Sequence, residues 1–205
     1  LILDKLCHAS LIDGARLSGA TIRVYPHNDL NRLASHLRWA SQRVTGNGRI
    51  LVVTESVFSM DGDLAPLVEI VGMKERYGAL LLVDEAHATG VFGEHGRGVS
   101  EHLGVEEAVH IRVGTLSKAL GSHGGFVAGQ QRLIDWLTNR ARSYFFSTAC
   151  PEPVAAAGSG RPQCAGMPRA HTVTQTPMSV IRKGCPAGRP LASRQRASSS
   201  PVVIS

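Results

Sequence analysis

No lysine in this chain of 205 residues is preceded by glycine and followed by serine or threonine. The phosphate-cradling loop GxxxxGK[ST] is therefore missing, and with it half of a nucleotide hydrolase. No apolar run approaches the roughly 20 residues a bilayer-spanning helix needs, so no membrane association is expected. The four cysteines, Cys7, Cys150, Cys164 and Cys185, form no CxxC pair and no Cys/His alternation. That spacing gives no metal centre and fits a reducing compartment, the cytoplasm by default. The opening "LILDKLCHAS" has no methionine, basic leader or cleavage site, which predicts no signal peptide and a fragment short of its upstream part.

Acids are missing from one stretch altogether. Residues 158–205 carry seven Lys or Arg and no Asp or Glu, while residues 1–157 hold 15 basic against 16 acidic side chains. The net charge of +6 thus belongs to the tail. A nucleic-acid partner loses its electrostatic basis for the body of the chain. Hydrophobic residues make up 43% of the chain, enough to build a core.

What is present is an alternation. "ATIRVY" (20–25), "RILVVTE" (49–55), "ALLLVD" (79–84), "HIRVGT" (110–115) and "GGFVAG" (124–129) read as strands, several of them apolar throughout. Between them "NDLNRLASHLRWASQRV" (28–44) sets Leu30, Leu33, Leu37 and Val44 near one helical face, with Asn28 or Asp29 as N-cap. "APLVEIVGMKERY" (65–77) predicts a helix with Pro66 in its first turn and Gly78 at its stop. "QRLIDWLTNRARSY" (131–144) predicts another, and "PEPVAAA" (151–157) begins one more. The pattern predicts an α/β fold: a mainly parallel sheet with helices on both faces. Ligands of such sheets bind beyond the C-terminal strand ends, where Glu55, Asp84 and Thr115 fall.

In "LLLVDEAHATG" (80–90) an apolar strand runs into Asp84, Glu85 and His87. A magnesium-holding Asp-Glu, a carboxylate for a cofactor ring nitrogen and a plain helix cap are all open at this point. The missing phosphate loop weighs against the first. In "GTLSKALGSHGGFVAG" (114–129) Lys118 follows a strand end among small residues and glycines. Such a lysine can approach a carbonyl compound, although most loop lysines are merely solvated. Asp84, His87 and Lys118 on one rim together match the needs of pyridoxal 5′-phosphate (PLP): an amine for its aldehyde and an acid for its ring nitrogen. His95 and His102 with Glu94 and Glu101 read as surface loop and helix start rather than a metal centre. "SMDGD" (59–63) lacks the closing Glu of a calcium loop and reads as an acidic turn.

The segments "DKLCHASLIDGARLSGA", "HNDLNRL", "TESVFSMDGDLAPL", "VDEAHATGVFGEHGRGVSEHLG", "GTLSKALGSHGGFVAG" and "FFSTACPEP" occur in this order. Through them the chain resembles the α-oxoamine synthase family of fold-type I PLP enzymes. The resemblance covers residues 1–157, which it implies are part of a PLP-binding large domain. It implies that Lys118 bonds the cofactor covalently and moves the substrate Cα proton. Asp84 would pair with the ring nitrogen, and His87 and Ser59 would approach the phenolic oxygen. His8 would stack on the ring, and Thr115 would contact the phosphate. Ser147 and Thr148 would contact the phosphate of a neighbouring subunit, so a homodimer is implied.

Ser117, directly before Lys118, favours the branch that condenses L-alanine with pimeloyl-CoA or another pimeloyl thioester, releasing CO2 and CoA on the route to biotin. Other branches use glycine or serine. The family's glycine-bearing phosphate loop and its C-terminal domain are not recognisable here. The chain alone is therefore expected to bind PLP weakly and to turn over negligibly. A non-catalytic remnant that serves only as a binding partner is the alternative. Residues 158–205 hold six of the ten prolines and no aromatic residue. They are expected to be disordered: a basic interaction tail, a plain unstructured end or, the preferred reading, translation in a shifted frame.

Overall fold

The computed structural model describes residues 1–154 in full and the backbone of residues 201–204. One seven-stranded sheet organises them, in the order β2-β1-β3-β4-β5-β6-β7. The strands are β1 (Ile2–Asp4), β2 (Arg23–Tyr25), β3 (Leu51–Glu55), β4 (Leu80–Asp84), β5 (Ile111–Thr115), β6 (Gly125–Gly129) and β7 (Pro201–Ile204). β2, β1, β3, β4 and β5 run parallel, while β6 and β7 are antiparallel additions on the β5 side. The expected α/β class with a mainly parallel sheet is what the chain adopts.

The helices are α1 (Ala9–Leu17), α2 (Leu30–Ser41), α3 (Leu67–Arg76), α4 (Val99–His102), α5 (Gln131–Arg140) and α6 (Arg142–Phe145). Alternate strand residues feed two cores, as the two-residue period of a strand requires. Val52, Leu81 and Val83 pack with Leu33 and Leu37 of α2 and Leu67 and Ile70 of α3. On the other face Leu3 and Val53 pack with Cys7 and with Ala15 of α1. Helices therefore cover both faces, which is why β3 and β4 read as unbroken apolar runs.

Caps explain several boundaries. The carboxylate of Asp29 accepts the N–H of Arg32 at 2.9 Å and starts α2, choosing between the two expected cap residues. Asn28 takes a left-handed φ of 54° just before it. α2 ends at Ser41, so Val44 lies beyond the helical face expected for it and is 40% exposed. Pro66 is the N-cap of α3 rather than a residue of its first turn, and Gly78, at φ 60°, reverses the chain after it.

The single helix expected over 131–144 is two. Ala141 has an extended ψ of 108°, which ends α5 and begins α6. No glycine or proline marks that break, so composition carries no warning of it. β5 is only partly buried at four of its five positions, less than an apolar run suggests. Residues 152–154 are helical, and the remainder of the expected helix to 157 lies outside the described residues. So does residue 205 and the stretch 155–200 of the expected disordered tail. Residues 201–204 pair with β6 as an edge strand, an element absent from the sequence reading.

The strand order reverses beside β1. The chain leaves β1 for β2 on one side and crosses back to β3 on the other. At such a reversal the connecting loops part above the C-terminal strand ends and leave a crevice.

Candidate active site

The crevice is a cleft of about 410 Å³, within the roughly 300–1,000 Å³ typical of small-molecule sites. Four of the five parallel strands send a functional side chain to it. His8 follows β1, Glu55 ends β3, Asp84 ends β4 with His87 in the turn beyond, and Thr115 ends β5 with Lys118 in the next loop. Glu55 and Asp84 are register partners on adjacent strands, and Asp84 pairs in turn with Val113. Five residues singled out from the sequence, His8, Asp84, His87, Thr115 and Lys118, thus line one cavity.

The turn after β4 sorts its side chains in opposite directions. Asp84 stays at the cleft, where its Oδ1 accepts the N–H of Ala86 at 2.8 Å. Burial pushes its carboxyl above the usual range, against the pull of that hydrogen bond and of the neighbouring Lys118, His8 and His87. Glu85 points into the protein and is 1% exposed. Its carboxylate accepts the N–H groups of Val99 at 3.0 Å and Ser100 at 2.9 Å, and the hydroxyl of Ser100. These bonds anchor the start of α4. Gly98, at φ 114°, must be glycine, because a Cβ there would sit 2.4 Å from Oε2 of Glu85. His87 returns to the cleft, its pKa lowered first by burial and then by the charge of Lys118.

The loop after β5 is held by its own backbone. Leu116 N–H donates to the carbonyl of Gly124 at 2.9 Å, Ser122 N–H to Leu116 at 2.8 Å and Gly121 N–H to Lys118 at 2.9 Å. Thr115 Oγ1 donates to the carbonyl of Gly124 at 3.0 Å and lies 2.7 Å from the hydroxyl of Ser117. Hydroxyls and glycine backbone therefore crowd one end of the cleft, a composition suited to an anionic group. Lys118 stands exposed at the mouth of this loop.

His8 is fixed from the opposite side. Its backbone N–H donates to Oε1 of Glu55 at 2.5 Å, and its Nδ1 lies 2.8 Å from the hydroxyl of Ser10. Glu55 is 3% exposed, and burial and then the neighbouring charge of Asp84 raise its pKa. Glu55 falls on the rim in the sequence, but no motif there assigns it a role. The available signal was an acid closing an otherwise apolar strand. His123 also lines the cleft and was not singled out at all.

Three expected site residues lie outside this lining. Ser59 is exposed in the turn after β3, and the Ser147 hydroxyl donates to the carbonyl of Ser143. Thr148 is exposed just beyond α6. The resemblance assigns Ser147 and Thr148 to the site of a neighbouring subunit, so a single chain does not bring them to its own cleft.

An α/β sheet with two strand-end carboxylates, three imidazoles and a loop lysine around one cavity is the arrangement of an enzyme's small-molecule site. The chain belongs to the aminotransferase class I and II family, whose sequence pattern it matches over residues 1–176. It is 53% identical over 154 residues to the 8-amino-7-oxononanoate synthase of Geotalea daltonii, an alignment covering 75% of this chain and 38% of that protein. Among solved structures it is similar to a serine palmitoyltransferase variant from S. paucimobilis with PLP and myriocin bound (TM-score 0.71, 39% identity, 77% of this chain and 40% of that one). It is similar also to the 8-amino-7-oxononanoate synthase of Francisella tularensis (TM-score 0.63, 32% identity, 77% and 44%). The chain spans about two fifths of the length of the relatives it matches.

Proposed function

We propose that this chain carries the cofactor-binding part of a PLP-dependent α-oxoamine synthase. The reaction is condensation of L-alanine with a pimeloyl thioester to 8-amino-7-oxononanoate, with release of CoA and CO2. The single observation that carries the reading is the convergence of Asp84, His87, His8, Thr115 and Lys118 on one cleft. The name shared by the curated relatives supports alanine as the amino acid.

The residues fit the cofactor chemically. A partly buried carboxyl whose pKa is raised by burial suits a protonated ring nitrogen, which would draw that pKa back down. A flexible primary amine at the cleft mouth suits an aldehyde, and the hydroxyls and glycine amides around Thr115 suit a phosphate. When bound, PLP supplies an aldehyde that joins amines covalently and a ring that takes up the electron pair left at Cα.

The chain's own residues do the rest. Lys118 Nζ would hold the cofactor and serve as the base for the Cα proton of alanine. Asp84 would be the carboxylate partner of the ring nitrogen. His8, whose backbone is held by Glu55, would pack against the ring. His87, kept neutral at pH 7 by its lowered pKa, offers a hydrogen bond rather than a charge to the phenolic oxygen, with Ser59 as second partner. Ser147 and Thr148 belong to the phosphate contacts of the other subunit in a homodimer of the whole protein.

The test is a coupled CoA-release assay on a full-length version of the protein. Alanine, glycine and serine are each offered with pimeloyl-CoA. Release with alanine alone supports the reading, while preference for serine or glycine moves the protein to a sister activity.

A further inference from the structure

We infer that His27 is a positioning residue for this cleft, a doubly protonated clasp that holds three rim loops in register. The consequence for binding rests on the cofactor reading above, but the clasp itself rests on geometry. His27 lies in the turn between β2 and α2. Its Nδ1 is 3.1 Å from Oδ1 of Asp4, and its Nε2 is 2.8 Å from Oδ2 of Asp63. Carboxylate oxygens only accept, so an acid at each ring nitrogen favours a proton on both, the imidazolium form of the proposal.

Both partners are tied into loops that lead to the cleft. Asp4 ends β1 with a side chain 0% exposed, and it also accepts the N–H of Leu6 at 2.8 Å and of Asn28 at 2.9 Å. Two residues beyond Leu6 comes His8. Asp63 sits in the loop between β3 and α3 and accepts from Nδ2 of Asn28 at 3.0 Å. That loop carries Ser59 and Phe58, and the Phe58 ring meets the His27 ring edge-on at 4.4 Å. The turns that present His8 and Ser59 therefore meet at one imidazole ring.

The charged groups facing His27 are Asp4 from β1 and Asp61 and Asp63 from the β3–α3 loop. His27, Asp61 and Asp63 bring their polar atoms within 4.8 Å of one another, a spacing that would also suit a cation. With protons on both ring nitrogens, His27 has no lone pair to give a metal, so the trio is an ion-pair cluster. Burial pulls the His27 pKa down, but the hydrogen bonds to Asp63 and Asp4 outweigh it and the net direction is up from 6.5. A histidine raised in this way contributes fully below about pH 6.5 and loses its contribution as pH rises through the folded-state value. Above that value the buried carboxylate of Asp4 loses its counter-charge, and the rim loosens where His8 and Ser59 are held.

Hydrogen exchange read by mass spectrometry on the full chain, from pH 6 to 9 and corrected for intrinsic rates, tests this without any ligand. The expected result is exchange at least tenfold faster in residues 5–10 and 56–65 above the His27 pKa, with residues 99–105 unchanged. Asp63→Asn, at a side chain 43% exposed, spares the fold and moves that transition down toward pH 6.5. His27→Gln removes the transition. Protection that ignores pH in the wild type, or a transition unmoved in Asp63→Asn, overturns the clasp. Histidine ring ¹⁵N spectra add an independent reading: a singly protonated His27 at pH 6 also overturns it. PLP titrated in parallel separates the two proposals. Binding should weaken about tenfold through the same transition in the wild type and through the shifted one in Asp63→Asn. A pH-dependent rim in a chain that binds no PLP contradicts the cofactor reading and supports the clasp. PLP binding with a rim indifferent to pH does the reverse.

Discussion

The backbone N–H of His8 donates to the Glu55 carboxylate at 2.5 Å, tying the turn after β1 to the end of β3. Glu55 stands in register with Asp84, so one buried acid both fixes His8 and neighbours the carboxyl proposed for the ring nitrogen. Glu55→Ala should leave the His8 N–H without its acceptor and weaken PLP binding about tenfold, the worth of roughly one such hydrogen bond. Glu55→Gln keeps an acceptor oxygen and should stay within about threefold. Fluorescence titration with PLP checks both. Equal losses in the two variants would show that charge, not positioning, is what Glu55 provides.

Asp84 and Glu55 both titrate above their ordinary values of 3.8 and 4.5, chiefly because of burial. A carboxyl raised on folding holds a proton that the unfolded chain has already released. Stability from these groups is therefore present below the ordinary values and is lost as pH rises through the raised ones. Urea unfolding of the ligand-free chain between pH 4 and 7.5 should show that decline. The Asp84→Asn, Glu55→Gln double variant should flatten it and be about 1 kcal/mol more stable at neutral pH, the scale of a relieved functional-site strain. The same double variant should bind PLP poorly.

Glu85 gives the opposite result. Removing its carboxylate leaves two backbone N–H groups and the Ser100 hydroxyl without partners in the interior. Glu85→Ala should cost about 3 kcal/mol in urea unfolding, at the upper end for hydrogen bonds to a charged group. A cost near zero would mean that α4 starts without this anchor.

Cys7 is 5% exposed, and burial, with the charges of Asp4 and Glu55, pushes its thiol up to about 12. Iodoacetamide at pH 8 should modify Cys7 at least about a hundredfold more slowly than an unstructured thiol, since only the thiolate reacts. Peptide mapping against time gives the rate, and denaturant should restore it.

Much of this architecture was legible. The apolar runs at 49–55 and 79–84 became β3 and β4 because helices on both faces leave no solvent side to alternate toward. The rim position of Asp84, Thr115 and Lys118 followed from strand polarity alone. The rest needed tertiary facts. β1 is a three-residue strand, too short to show a period. The break at Ala141 has no glycine or proline to announce it. The adjacency of Glu55 to His8 spans 47 residues of sequence, and no local pattern encodes a contact of that range. The bond between His27 and Asp63 spans 36 residues and was equally hidden, though both lay in segments already singled out.

Lys118 is the amine proposed to hold PLP, and chemical trapping on the chain decides that assignment. The chain has four lysines, Lys5, Lys74, Lys118 and Lys183, so a label can be placed without ambiguity. The purified chain is mixed with PLP at a few equivalents, reduced with borohydride, digested and read by mass spectrometry. The pyridoxyl group is expected on Lys118, well above the exposed Lys5, with the preference abolished in Asp84→Asn. Equal labelling of Lys118 and Lys5, or a preference that survives Asp84→Asn, would contradict it.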